Sequence, residues 1–224
     1  MRTVVPTLDI ETQLFRDGFR WIGALDEVGT GSAAGPCHCA MVVIGPDCGA
    51  FPPRLRDSKL LRPSVRESLV PEIEQWVHEY AVGSATAAEI DALGLTAALR
   101  IAGLRALSQL TVKPSIVLLD GQRDWLSTAR SSLADSAVTD IEVPPVVTKV
   151  KADRFCASVS AASVLAKVRR DAHLTALAND FPGYGWEHNK GYVTAAHREA
   201  IARLGLTSEH RRSWNLDVDD PSST

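Results

Sequence analysis

The sequence predicts an α/β domain, and three stretches carry this prediction. Two apolar runs, at residues 21–25 and 116–119, are typical of strands that are covered on both faces. Residues 87–110 lie between them and repeat apolar side chains every three or four positions, which indicates a helix with one apolar face. A chain of 224 residues, 45% of them hydrophobic, suits one such domain with at most a small appendage.

The charge and the cysteines limit the function classes. The net charge of −3 and the pI near 6.1 give no general attraction to nucleic acid or anionic membranes, so a nucleic-acid partner requires a local basic patch. The four cysteines form no C-x-x-C pair, which favours a reduced, cytoplasmic protein. Because the sequence has no apolar leader segment and no run of about 18 apolar residues, we expect no membrane association.

The remaining pattern gives the order of the elements. A short link separates the first two strands, at 21–25 and 37–44, which favours antiparallel pairing. Further along we expect a helix at 63–76, strands at 80–85, 116–120 and 145–151, a surface excursion at 122–145, and helices at 155–181 and 194–204. We place the domain at residues 20–214, with 1–19 as a lead-in and 215–224 as a disordered tail.

Acidic residues stand at the ends of three predicted strands. They are Asp26 and Glu27 after the first strand, Asp120 after the strand at 116–120, and Asp153 after the strand at 145–151. Strands far apart in sequence can bring acids together only at a shared end of one sheet. Carboxylates are costly to desolvate alone, and their oxygens suit hard cations such as Mg²⁺ or Mn²⁺. The four acids therefore predict a metal-dependent site.

The glycines that follow the first acids allow a second interpretation. Residues 29–34 match G-x-G-x-x-A, the fingerprint of dinucleotide-binding proteins. Two features oppose this interpretation. Asp26 and Glu27 would repel a pyrophosphate, and a strand-like segment at 37–44 follows where the fingerprint requires a helix. A nicotinamide-dependent oxidoreductase is therefore the weaker alternative.

Basic and aromatic residues are concentrated in the second half of the chain. We predict a local basic patch from Arg154, Lys167, Arg169, Arg170, Arg211 and Arg212. Residues 181–192 form an aromatic, glycine-rich loop, and such loops on a rigid scaffold often carry binding. The six histidines show no metal-ligand spacing, so we interpret them as ordinary polar residues.

The ordered set of motifs resembles ribonuclease HII, the type 2 ribonuclease H. The resemblance covers nearly the whole chain, from about Gly23 to Trp214. The matching motifs are Asp26-Glu27-x-Gly29-x-Gly31 with Gly35-Pro36; Asp57-Ser58-Lys59; Leu119-Asp120-Gly121; Lys151-x-Asp153; Ala161-Ala162-Ser163-x-x-Ala166-Lys167-Val168-x-Arg170-Asp171; Pro182-x-Tyr184-Gly185; Lys190-Gly191-Tyr192; and His210-Arg211-Arg212-Ser213. Their number and order make the resemblance specific, although no single motif does.

The resemblance implies a fold and an activity. The fold is ribonuclease H-like, a mixed β-sheet flanked by helices with a small helical C-terminal part. The activity is endonucleolytic cleavage of the RNA strand in RNA–DNA hybrids, and cleavage 5′ of ribonucleotides embedded in duplex DNA, as in ribonucleotide excision repair. The products carry 5′-phosphate and 3′-hydroxyl ends, and the cofactor is Mg²⁺ or Mn²⁺, with two ions acting together. We expect a monomer.

The resemblance also assigns roles to residues. Asp26, Glu27, Asp120 and Asp153 fall on the family's catalytic metal-site acids. Backbone groups of Gly29, Thr30 and Gly31 would reach the ribose 2′-hydroxyl, the group that distinguishes RNA from DNA. Tyr192 would stack on a sugar, and Lys59 and Lys190 would contact phosphates.

Thr30 departs from the family's usual Gly-Arg-Gly. The sequence Asp-Glu-Val-Gly-Thr-Gly is similar to the sister family, ribonuclease HIII. Three features favour type HII: the lead-in is too short for the extra N-terminal domain of HIII enzymes, HIII usually has Glu where this chain has Asp153, and HIII lacks the tyrosine of Lys-Gly-Tyr. HIII-like specificity for runs of ribonucleotides is the alternative. A catalytically silent hybrid-binding module is a further alternative, which the four intact acids oppose.

Overall fold

The centre of the molecule is a mixed β-sheet. The computed structural model describes residues 4–127, 141–214 and 216, and the strands are β1 (Ile22–Val28), β2 (Cys37–Ile44), β3 (Glu79–Ala85), β4 (Ile116–Asp120) and β5 (Val146–Lys149). Within these residues the five strands have the order β3-β2-β1-β4-β5. β1 pairs antiparallel with β2, and β2 with β3, whereas β1, β4 and β5 run parallel. The mixed sheet and the antiparallel first pair confirm the predictions.

Helices cover both faces of this sheet. They are α1 (Asp9–Arg16), α2 (Pro63–Trp76), α3 (Ala87–Leu93), α4 (Leu95–Gln109), α5 (Ala152–Phe155), α6 (Ala157–Asp180), α7 (Trp186–Asn189) and α8 (Ala195–Leu204). α6 packs across β1 and β2, and α4 packs across β2 and β3. No helix in the described part of the chain is long and apolar enough to cross a membrane.

The alternation of side chains along β1 divides the core into two layers. Ile22 and Ala24 are fully buried in the layer that contains α6, and Leu25 is fully buried in the layer that contains α4. The first turns of α6, residues 157–163, consist of alanine, serine and valine, and all of them are buried. Such small side chains let α6 lie close to the sheet, and this brings its later residues near the acidic end of β1.

Two predictions about helices need correction. The apolar repeat predicted one helix over 87–110, but the chain breaks at Gly94, which has φ +80° and separates α3 from α4. Glycine adopts positive φ readily and is a poor helix former, so the repeat survives in sequence while the helix stops. The expected lead-in at 1–19 contains α1, whose Glu11 accepts hydrogen bonds from Ser158 at the start of α6.

A third, smaller core lies in the C-terminal part of the molecule. It is formed by Ala34, Leu174, Tyr184, Trp186, Ala200 and Ile201. These residues come from the loop between β1 and β2, from α6, and from the segment that carries α7 and α8. The small helical C-terminal part is therefore packed directly against the loop that follows the first acids.

Candidate active site

β1 and β4 place three acids at one edge of the sheet. Leu25 is paired with Leu119 in the parallel ladder, so Asp26 and Asp120 follow at the same level. Asp26 is 3% exposed, while Glu27 and Asp120 are half-buried. Neighbouring parallel strands end at the same edge, which explains why acids 94 positions apart in the sequence meet here.

Asp153 reaches this edge from a short helix. β5 ends at Lys149, opposite Asp120, and Asp153 lies in the first turn of α5. The Oδ1 atom of Asp120 accepts a hydrogen bond of 2.6 Å from the backbone nitrogen of Ala152. This bond ties the first turn of α5 to the end of β4, and it leaves the Asp153 side chain 6% exposed on the same edge.

The acids lie at this edge in surroundings that disfavour their charged forms. Burial, followed by the charge of Glu27, raises the pKa of Asp26 well above its ordinary value. Burial and the charge of Asp120 raise the pKa of Glu27 to about 7, and burial and Asp153 raise the pKa of Asp120. Loss of water and mutual repulsion both disfavour the charged carboxylates, and a bound cation reverses both effects.

The donor set fits a hard divalent cation. All four side chains offer carboxylate oxygens, the ligands that Mg²⁺ and Mn²⁺ prefer. The Oε2 atom of Glu27 is buried, and no hydrogen-bond partner for it exists among the described residues. Among those same residues, no three His, Cys, Asp or Glu side chains converge closely enough to enclose an ion as they stand. The four acids therefore offer the right kind of ligand at one edge of the sheet, but as they stand they do not enclose an ion.

Lys59 lies at the same edge and contacts Asp153. Its Nζ atom is 3.0 Å from Oδ2 of Asp153, although its side chain is 68% exposed. Partial burial alone would lower its pKa, but the hydrogen bond to Asp153 and the neighbouring carboxylates raise the pKa of Lys59 to about 12. The turn that carries it is fixed by Asp57, which accepts from the Lys59 backbone nitrogen at 2.9 Å and from Arg154 at 3.2 Å. Lys59 is therefore a charged group held against the acids at this edge of the sheet.

Two buried arginines hold the loop between β1 and β2, residues 29–36, which we call the glycine loop. Arg170 and Arg211 are both fully buried, at 0% exposure. Arg170 donates to the carbonyls of Pro36, Ala34 and Lys190 and to the hydroxyl of Ser32. Arg211 donates to the carbonyls of Gly29, Thr30 and Gly35. The loop is therefore shaped by side chains from α6 and from the C-terminal segment.

Tyr192 lies against the glycine loop with its ring partly exposed, at 37%. Its backbone forms an antiparallel bridge with Ser32. Its ring lies 5.6 Å from the Arg170 guanidinium and 5.8 Å from the Lys167 ammonium, both within cation–π range. A Cβ added to Gly31 would lie 3.8 Å from Cε1 of this ring. The tyrosine and the loop thus form one surface that continues from the acids through Val28.

Lys190 occupies a different environment from Lys59. Its Nζ atom donates to the Thr175 hydroxyl at 2.6 Å and to the Glu187 carbonyl at 2.7 Å, while its own carbonyl accepts from Arg170. The residue adopts a left-handed backbone conformation with φ +52°. Its ammonium group is therefore engaged by α6 and α7, and its backbone helps to hold the glycine loop to the tyrosine.

Two expectations about this region were wrong. The predicted basic patch cannot include Arg170 or Arg211, because both guanidinium groups are buried and bonded to carbonyls. The histidines are not all ordinary polar residues, since His38, His197 and His210 are buried. The local sequence does not indicate that these arginines and histidines are buried, because the groups that they contact lie far away along the chain.

Comparisons with known proteins identify the family of this chain. The family model for Ribonuclease HII matches residues 22–217. A ribonuclease HII of Streptomyces avermitilis is 40% identical over 93% of this chain and 83% of its own length. A ribonuclease HII of Paracoccus denitrificans is 39% identical, over 93% and 91%. The crystal structure of ribonuclease H2 from Pyrococcus horikoshii OT3 superposes with a TM-score of 0.65 at 26% identity, over 88% of this chain and 94% of that one. This chain therefore belongs to the ribonuclease HII family, whose members are metal-dependent endonucleases that act on RNA paired with DNA.

Proposed function

We propose that this enzyme cleaves the RNA strand of RNA–DNA hybrids and also cuts 5′ of single ribonucleotides embedded in duplex DNA. One observation carries the second part: the exposed ring of Tyr192 lies beside Gly31 on the loop that leads from the acids. A recognition surface for one sugar next to a cleavage site suits a lone ribonucleotide in DNA. In this proposal the enzyme acts as a monomer with its catalytic domain at residues 20–214, and α1 packs onto that domain.

The four acids would hold the metal. Asp26, Glu27, Asp120 and Asp153 supply the carboxylates, and Mg²⁺ or Mn²⁺ fits these ligands. When bound, a pair of such ions supplies Lewis acidity at the scissile phosphate and stabilises both the attacking and the leaving oxygen. The protein's own part is to fix the backbone beneath the acids through the bond from Ala152 to Asp120. The products would carry 5′-phosphate and 3′-hydroxyl ends.

The glycine loop and Tyr192 would recognise the substrate. Backbone groups of Gly29, Thr30 and Gly31 are assigned to the ribose 2′-hydroxyl, because this hydroxyl is the group that RNA has and DNA lacks. Tyr192 would stack on the sugar at the RNA–DNA junction. Lys59, which is exposed and charged, would contact a phosphate once a cation competes for Asp153, and Lys190 is the second phosphate candidate.

Thr30 supports a second candidate specificity. It stands where related enzymes have arginine, and the resulting Gly-Thr-Gly is similar to ribonuclease HIII. Under that alternative the enzyme cuts runs of ribonucleotides and leaves single ones intact.

The decisive experiment compares two labelled duplexes in Mg²⁺ and in Mn²⁺. One duplex carries a single ribonucleotide and the other is a full RNA–DNA hybrid. We expect both to be cut with 5′-phosphate products, and we expect Asp26→Asn, Asp120→Asn and Asp153→Asn to lose nearly all activity while staying folded. Asp47→Asn is the matched control, because it removes the same charge from an exposed loop. Cleavage of the hybrid alone would support the second specificity, and near-normal turnover of an acid variant would refute the metal role of that residue.

A further inference from the structure

The glycine loop is enclosed by two segments of the C-terminal part. On one side Ser32 bridges Tyr192, and on the other side Ala34 bridges His210. The second side is reinforced by backbone hydrogen bonds of 2.8 Å, from Gly35 to the Glu209 carbonyl and from Arg211 to the Ala33 carbonyl. The loop therefore lies between the tyrosine segment, residues 190–194, and the histidine segment, residues 207–212.

Two buried histidines join these two segments behind the loop. His197 in α8 is 0% exposed and His210 is 1% exposed, and their Nε2 atoms lie 3.3 Å apart. On its other side, the Nδ1 atom of His197 lies 3.0 Å from the carbonyl oxygen of Tyr192. The Nδ1 atom of His210 lies 3.0 Å from the backbone nitrogen of Thr207. A continuous chain of hydrogen bonds therefore runs from the histidine segment to Tyr192.

The partners of each ring nitrogen determine where the protons are. A carbonyl oxygen can only accept, so Nδ1 of His197 carries a hydrogen and donates it to Tyr192. The Nε2 atom of neutral His197 is then an acceptor, and the indole N–H of Trp186 donates to it at 3.0 Å. A backbone N–H can only donate, so Nδ1 of His210 accepts from Thr207, and its Nε2–H points at His197. Nε2 of His197 has a single lone pair, which the N–H groups of Trp186 and His210 share. A proton on the acceptor nitrogen of either ring would face an N–H donor, so both rings are neutral.

Burial supports this neutral state. Burial lowers the pKa of His197. Burial, followed by repulsion from a protonated His197 and from Arg212, lowers the pKa of His210 to about 4. Each ring therefore has one defined tautomer at neutral pH, which fixes the direction of every hydrogen bond in the chain.

We infer that His197 is a positioning residue for substrate recognition, which holds the Tyr192 backbone through its Nδ1–H while Trp186 and His210 fix its tautomer. The inference rests on the proposed function, because it requires that Tyr192 contacts the ribonucleotide. The carbonyl of Tyr192 also accepts from Thr194 at 3.0 Å, so His197 supplies the second of two donors. Removal of His197 leaves this carbonyl with one local bond and frees the segment that carries the ring.

Two substitutions separate positioning from simple filling of space. His197→Ala removes the donor, whereas His197→Asn keeps an amide N–H near the position of Nδ1. We expect His197→Ala to weaken binding of a single-ribonucleotide duplex about tenfold, because the Tyr192 carbonyl loses one of its two donors and the segment that carries the ring is held less firmly. His197→Asn should recover most of the affinity. The loss should appear in KM and in Kd, with kcat on the full hybrid nearly unchanged.

Tyr184→Phe is the structural control. Tyr184 belongs to the same small core, and its hydroxyl donates to the Gly205 carbonyl at 2.8 Å without contacting the Tyr192 segment. The variant loses a buried hydrogen bond of the same kind, so it reports how far a weaker C-terminal core alone affects binding. Thermal unfolding of each variant shows how much stability it has lost.

The test is a double-mutant cycle between His197→Ala and Tyr192→Ala. Binding to the single-ribonucleotide duplex is measured by fluorescence anisotropy with Ca²⁺ in place of Mg²⁺, and an all-DNA duplex gives the background. If the inference is right, the two losses overlap and the double variant binds about as well as Tyr192→Ala alone. Additive losses, or an equal loss in Tyr184→Phe, would overturn the inference while the proposed function stands. No loss in Tyr192→Ala would instead overturn the role of the tyrosine, and the inference with it.

Discussion

The ammonium group of Lys59 lies 3.0 Å from the Oδ2 atom of Asp153, one of the four acids at the edge of the sheet. The contact joins a side chain that is 68% exposed to one that is 6% exposed. A cation on a long, exposed side chain therefore lies against one of the acids that we propose to hold a metal ion. The same lysine is the first candidate for a phosphate contact, so its two roles oppose each other.

Lys59→Met should strengthen metal binding and weaken catalysis. Without the ammonium group the acids lose a competing cation, so the Kd for Mg²⁺, measured by calorimetry without substrate, should fall severalfold. Turnover should fall because the phosphate contact is lost. Lys113→Met is the control, since Lys113 precedes the opposite end of β4. A Kd for Mg²⁺ that does not change would show that Lys59 does not compete at this site.

Gly29→Ala should reduce stability, whereas Gly31→Ala should reduce substrate binding. Gly29 has φ +86°, and an added Cβ would overlap the Nε atom of the buried Arg170. We expect this variant to lose several degrees in Tm, because 1 kcal/mol corresponds to about 2–4 °C for a protein of this size. Among the described residues, only the Tyr192 ring lies within 4 Å of a Cβ added to Gly31, so Gly31→Ala should keep its Tm and bind substrate more weakly. Equal Tm losses in both would contradict this division.

Thr30→Arg should strengthen binding of a single-ribonucleotide duplex by about tenfold. A hydrogen bond to a charged group contributes about 1.5–3 kcal/mol, and threonine cannot supply the charge. The backbone should stay in place, because the Thr30 carbonyl is held by Arg211 at 3.4 Å. A new phosphate contact should also steepen the salt dependence of log K by about 0.9 per log unit of salt. Thr30→Gln, a long uncharged side chain, is the control, and equal affinity in both variants would rule out a charge effect.

Glu11→Gln should stabilise the protein increasingly as the pH rises. Glu11 is fully buried, and burial raises its pKa despite the hydrogen bonds from Ser158. Because the folded pKa exceeds the unfolded one, the stability that this group contributes is complete below the unfolded pKa and is lost as pH rises through the folded value. Glutamine stays neutral, so the two Tm values should agree near pH 4 and diverge by pH 8. A constant difference, or the same trend in the exposed Glu67→Gln, would contradict this explanation.

The sequence predicted best those site residues that stand in a recognisable local pattern. Asp26, Glu27 and Asp120 follow apolar runs that fold as buried strands, so their common edge could be predicted. The sequence also indicated that Asp153 belongs to this group of acids, although it lies in α5 and not at the end of a strand. The break at Gly94 was missed because the apolar repeat continues through it, and α1 was missed because it is a short helix of eight residues.

The supporting residues could not be predicted, for a physical reason. A run such as Lys167 to Arg170 usually lies on a solvated helix face, and arginine is rarely buried. Arg170 is buried because its acceptors are two carbonyls and the Ser32 hydroxyl of the glycine loop, 134 to 138 positions earlier in the chain, together with the Lys190 carbonyl. The pairing of His197 with His210 likewise depends on how α8 packs, which no local spacing reveals.

The long reach of Arg211 has a consequence for how the enzyme is made. Its bond to the Gly29 carbonyl joins residues 182 positions apart, so it can form only after synthesis has passed Arg211. Contacts between distant residues carry the largest loop-closure cost and tend to form late. A nascent chain that still lacks this arginine already contains all four acids, Arg170 and Tyr192, but the Gly29, Thr30 and Gly35 carbonyls lack the donor that holds them. Under the proposed function, a product truncated before Arg211 would keep the acids but hold the recognition loop less firmly.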